Sequence, residues 1–134
     1  MSAQEDAELV RKGYDAFIAG DMEWLNDHLH ENVVWHVPGH NLLSGDYRGR
    51  EDVLAFFARS VMIALPEFDM HDVLASDDHV VALSTSRWRR NDNSETFEDH
   101  VGQVFHLDAG KVIEVWTMGE DLAGFDQFLE GASG

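Results

Sequence analysis

The chain has 134 residues, no cysteine, and 26 acidic against 9 basic residues, for a formal charge of −17. A length of 134 residues predicts one domain, and the charge disfavours nucleic acid and anionic membrane as partners. The lack of cysteine excludes disulfide and thiol chemistry and fits a cytoplasmic protein.

Hydrophobic content is 44% with clear periodicity, so a folded core is expected. No long apolar run reads as a membrane span, and no signal peptide is expected. Ser2-Ala3-Gln4-Glu5 has the form of a capping box. After it Ala3, Ala7, Val10, Tyr14 and Phe17 recur at helical spacing, and Gly20 is a natural stop. Asp21 can cap a second short helix over Met22–Leu29. Asn32–Val37 predicts a strand, with Val33, Trp35 and Val37 on one face and Val34 and His36 on the other. His40–Gly49 reads as a loop, and a third helix is predicted over Arg50–Leu65, ended by Pro66.

Four strands follow. Phe68–Ser76 meets His79–Arg90 across Asp77-Asp78. Arg90 leads through Asn91–Ser94 into a long hairpin, Glu95–Met118, turned at Asp108-Ala109-Gly110. Asp121–Glu130 predicts a closing helix, and Gly131–Gly134 a flexible tail. Helices gathered before an antiparallel meander imply an α+β layer, with the sheet wrapped round the helices.

This order of elements, with the stretches Tyr14–Asp21, Val34-Trp35-His36-Val37-Pro38-Gly39, Gly45-x-x-x-Gly49 and Gly110–Trp116, resembles the SnoaL-like branch of the nuclear transport factor 2-like superfamily. That group includes polyketide cyclases, ketosteroid isomerases and limonene epoxide hydrolases. The resemblance implies a cone-shaped α+β barrel around an apolar pocket, N-terminal helices packed in a curved antiparallel sheet, and a homodimer through the sheet's outer face. Carried over without gaps, the isomerases' catalytic positions fall on Gly13, Val37 and Gly102, and the aspartate that the cyclases and epoxide hydrolases carry near the end of the last strand falls on Thr117. None of these can act as a general base unaided near neutral pH.

Pairing through the Asn91–Ser94 turn aligns Arg87 with Glu98, Thr85 with His100 and Leu83 with Gly102. With the Gly102 and Thr117 sets taken as inward, the expected catalytic group is His100, Glu98 and Arg87. His100 would be the acid–base, Glu98 would orient it or share its proton, and Arg87 would hold an oxyanion. The expected ligand wall is Tyr14, Trp35, Val37, Phe56, Phe57, Val61, Thr85, Gly102, Val104, Val115 and Thr117. The expected dimer surface is Trp88, Phe97, Val101, Phe105 and Trp116, too much apolar area to leave in water.

His28-x-His30 and His36-x3-His40 give only pairs of candidate ligands, so no metal site is expected. The basic cluster Arg87-Trp88-Arg89-Arg90 splits across two strand faces and forms no nucleic-acid stripe. The function expected is binding of a small hydrophobic metabolite, with cofactor-free isomerase, cyclase, hydratase or hydrolase-like chemistry. The alternative is a non-catalytic ligand-binding or dimerisation domain of the same fold.

Overall fold

A computed structural model of the chain describes residues 2–130; the Gly131–Gly134 tail lies outside them. Helix α1 (Ala3–Ala19) starts where the sequence predicts. The Ser2 hydroxyl accepts the Glu5 N–H, the Glu5 carboxylate accepts the Ser2 N–H, and Gly20 ends the helix at φ 71°. Helix α2 (Met22–His28) is capped by Asp21. Strand β1 (Leu29–Val37) follows at once, longer than predicted.

The predicted loop after β1 contains a short strand, β2 (Gly45–Arg48), folded back so that His36 faces Asp46. It has no apolar alternation to betray it. Helix α3 (Arg50–Ile63) stops before Pro66, because the residue preceding a proline is biased to extended backbone. Pro66 therefore sits in β3 (Ala64–Ala75), an edge strand, where its missing N–H is tolerated. Strands β4 (His79–Arg90), β5 (Thr96–Asp108) and β6 (Lys111–Gly119) complete the meander, and α4 (Leu122–Leu129) closes the described chain.

The six strands form one curved, unclosed sheet in the order β2-β1-β6-β5-β4-β3. One pairing departs from the antiparallel expectation: β1 lies parallel to β6, which no tight turn connects to it. Leu9, Val10, Val33, Val53, Val80 and Val115 pack between the helices and the sheet's concave face. Leu43, Ile63, Phe128 and Leu129 form a second cluster under α4.

The hairpin holds the main correction. Its two-residue turn, Ala109-Gly110, puts both residues at positive φ, 50° and 78°. Asp108 pairs with Lys111 and Leu107 with Val112. Carried on unchanged, that register sets Gly102 opposite Thr117. Instead the register shifts by one residue at Ile113, so His106 pairs with Glu114, Phe105 with Val115 and Gln103 with Thr117. A shift of one residue exchanges faces. The β4–β5 pairing is the one predicted, Arg87 with Glu98, Thr85 with His100 and Leu83 with Gly102. That whole set, however, points outward. Of the predicted outer residues only Trp116 lies outside; Trp88, Phe97, Val101 and Phe105 line the interior.

Candidate functional site: a cavity with two polar stations

A cavity of about 190 Å³ lies between α1, α2, α3 and the concave face, with α4 over one end. An apolar cavity of about 150 Å³ takes a benzene ring, so this one has room for a molecule of one to two small rings. Its wall is largely aromatic and aliphatic. Tyr14 meets Phe68 edge-on at 5.1 Å and Phe105 at 6.1 Å. Trp35 meets Phe57 edge-on at 4.9 Å. Such offset contacts hold the rings in fixed orientations.

Polar groups enter the wall at two stations. At the first, Asp99 stands opposite Ser86 on β4 and is 8% exposed. Its Oδ1 accepts the His100 N–H at 2.9 Å and its Oδ2 accepts the Asp121 N–H at 3.2 Å. Asp121 also caps α4 through Gly124 N–H, so the carboxylate is tied to the start of the helix over the cavity. Among the described residues, no Lys, Arg or His nitrogen lies within 4.0 Å of the Asp99 carboxylate. Gly119 makes room for it, since a Cβ there would meet Asp99 Oδ2 at 2.8 Å.

At the second station the Tyr14 hydroxyl donates to Gln103 Oε1, and Gln103 Nε2 donates to Thr117 Oγ1 at 2.9 Å. Burial pushes the Tyr14 phenol well above its ordinary 10.0, so it remains a proton donor. Three elements build this chain: α1 carries Tyr14, β5 Gln103 and β6 Thr117. The shift at Ile113 brings Gln103 and Thr117 to one face. Elsewhere in the lining, His28 donates from Nδ1 to the Trp24 carbonyl at 2.7 Å and stacks on the Trp24 ring at 3.8 Å. Ser60 donates to the Phe57 carbonyl of its own helix.

Of the predicted wall residues, Tyr14, Trp35, Val37, Phe56, Phe57 and Thr117 line the cavity. Val115 is fully buried in the core without lining it, and Val61 is half-buried and does not line it either. Thr85, Gly102 and Val104 stand on the outer face, which corrects their inward placement. The same holds for the expected catalytic group. Arg87 and Glu98 form a solvated pair at 3.4 Å, with side chains 46% and 60% exposed. His100, 64% exposed, lies 3.4 Å from Glu120. Asp99, Gln103, Ser84 and Ser86 are cavity groups not predicted from the sequence. The signal was present: Phe97, Val101 and Phe105 share their alternation with Asp99 and Gln103, and so large an apolar set belongs inside.

Among the described residues, no group of 3 or more His, Asp or Glu side chains gathers closely enough to hold a metal ion. No helix among them is long and apolar enough to cross a membrane.

Residues 10–115 match the family model described as a SnoaL-like domain. The chain belongs to that family. Bal32a, from a soil-derived mobile gene cassette, is 32% identical and has a TM-score of 0.85, over 95% of this chain and 98% of its own. An uncharacterized protein of Mycobacterium tuberculosis is 25% identical over 96% of this SnoaL-like chain and 98% of its own. An LEH-like epoxide hydrolase of the same organism is 18% identical with a TM-score of 0.75, over 96% of this chain and 92% of its own. At that identity the likeness is one of fold alone.

Proposed function

We propose that this SnoaL-like protein encloses a small, largely apolar molecule and moves a proton on it without a cofactor, with Asp99 as the acid–base group. The observation behind this is the Asp99 carboxylate: buried, in the cavity wall, and without a side-chain cation. Burying a carboxylate is costly unless it is paired, and two backbone donors offset only part of that cost. A fixed carboxylate in an apolar cavity can take a proton from a ligand carbon or oxygen and return it elsewhere on the same ligand. That chemistry covers isomerisation, cyclisation and hydration. Thr117, with Gln103 and Tyr14 behind it, can hold a ligand oxygen.

A non-catalytic binding domain is the second reading. It is favoured by the spacing of the stations. Asp99 and Gln103 are four residues apart on β5, about 13 Å along an extended strand, so they do not converge on adjacent ligand atoms. A thermal-shift screen of cyclic ketones, enols and epoxides, followed by turnover assays on the hits, decides between the two. The catalytic reading expects Asp99→Asn to retain binding while turnover falls about 10²–10⁴-fold. Hits that bind the wild type and never turn over support the binding domain.

The same reading includes a cytoplasmic homodimer through the outer sheet face, redrawn around Leu83, Val104, Trp116 and Met118. Leu83 and Met118 are 39% and 54% exposed, which supports a cover there. Light scattering at micromolar concentration checks it, and a monomer refutes it.

A further inference from the structure

Apart from His28, Ser60 and Ser84, the polar groups of the cavity wall gather at two places, and neither place holds a basic side chain. Its lining contains no Lys or Arg, and the chain around it carries a formal charge of −17. An anionic ligand would meet a field of its own sign with no cation to offset its desolvation.

The two stations also differ in hydrogen-bonding sense. At the Thr117 station the direction is set by its members. Tyr14 donates to Oε1 of Gln103, which turns the amide nitrogen toward Thr117, and Thr117 Oγ1 accepts from it. The Thr117 hydroxyl proton and the second Gln103 N–H are left to donate, and each bond in such a chain polarises the next. An acceptor oxygen, such as a ketone, fits there. At the other station both Asp99 oxygens accept backbone N–H groups, so the carboxylate presents acceptors to the cavity and an O–H or N–H donor fits. Val101 lies between the stations on the same face, and the rings of Trp88, Phe97 and Phe125 stand in the wall with Asp99.

On the cavity reading above, we infer that the ligand is an uncharged or cationic, largely apolar molecule with an acceptor oxygen at one end and an O–H or N–H donor at the other, and that the site discriminates against carboxylates. Thr117, positioned by Gln103 and Tyr14, selects the acceptor. Asp99, given space by Gly119, selects the donor and excludes the anion.

The test is a titration of the full chain with four bicyclic probes, followed by quenching of the tryptophans in the wall, Trp24, Trp35 and Trp88. The probes are a hydroxytetralone, the parent tetralone, the matching tetralin alcohol and the matching tetralin carboxylate. The hydroxytetralone is expected to bind best, and loss of either polar end to weaken binding about tenfold. The carboxylate is expected to bind about a hundredfold more weakly than the hydroxytetralone. Thr117→Val should erase the preference for the ketone and leave that for the hydroxyl, while Thr117→Ser restores both. Gly119→Ala, which displaces the Asp99 carboxylate, should erase the preference for the hydroxyl. A carboxylate that binds as well as the hydroxytetralone, or single-ended probes that bind equally well, overturns the inference and leaves proton transfer at Asp99 standing. Selective binding without turnover upholds the inference and removes the catalytic reading. If none of the four binds, the inference and the enclosed-ligand reading fall together.

Discussion

Glu98, Asp99 and His100 are neighbours on one strand, and alternation sends them to opposite sides of the sheet. Glu98 and His100 face solvent, with side chains 60% and 64% exposed, while Asp99 is 8% exposed in the cavity wall. By residue type the outer set looks the more chemical, with an imidazole beside a carboxylate and a guanidinium opposite. Enclosure reverses that ranking. In water the Arg87–Glu98 pair gains little, because solvent screens it and ordering two long side chains costs entropy. Inside the cavity a carboxylate and a Tyr–Gln–Thr chain act at low local dielectric on whatever is held there.

The sharpest way to break this contrast is to mutate across it. Asp99→Asn is expected to lower turnover about 10²–10⁴-fold, whereas His100→Ala leaves the rate unchanged; a loss of rate with His100→Ala would invert the two faces again. Packing gives the next test. Phe105→Ala, in the wall, should destabilise by about 3–5 kcal/mol in chemical denaturation, and Val104→Ala, its outward neighbour, by clearly less. Equal effects would mean that the outer face is also buried, as in a tight dimer.

Acid–base behaviour of the outer face is a smaller effect. His36 is hydrogen-bonded by Glu114 and by Asp46, each at 2.6 Å, and these carboxylates hold its pKa above the ordinary 6.5. A folded-state pKa above the unfolded one stabilises fully below about 6.5 and fades as pH rises through the raised value. His36→Gln should therefore lower Tm more at about pH 6 than at about pH 9. The reverse order would show that the imidazole is neutral in the fold. The smallest effect is expected at the outer ion pair, where a double-mutant cycle of Arg87→Ala and Glu98→Ala should give a coupling of about 0–1 kcal/mol. A larger coupling would mean that this face is shielded from water.

Local chemistry made much of the fold legible. The Ser2 capping box and the Gly20 stop bound α1 where the sequence set them. The turn at Asn91–Ser94 gave the β4–β5 register residue by residue. Strand β2 was not legible, because Gly45–Arg48 has no apolar alternation and is ordered by pairing with β1. The cavity was legible in part. Tyr14, Trp35 and Phe57 come from elements whose buried face is read directly from their periodicity. The inner face of β5 was not legible, because the resemblance sets Gly102 and Thr117 on one inward face, and the extra residue at Ile113 that separates them leaves no mark in the alternation of Ile113, Val115 and Thr117.

The sequence by itself therefore determined every element but β2, the caps, most of the strand pairing and the family. These depend on interactions between residues close in the chain or joined by a short turn. Which side of the hairpin faces inward was decided only in the tertiary structure. The parallel seat of β6 against β1 and the packing of α4 at Asp99 join residues far apart in sequence, and the bulge at Ile113, though close to its turn, is fixed by what each face of the hairpin packs against. A one-residue change in register costs little locally, yet it moves a whole set of side chains from solvent to cavity.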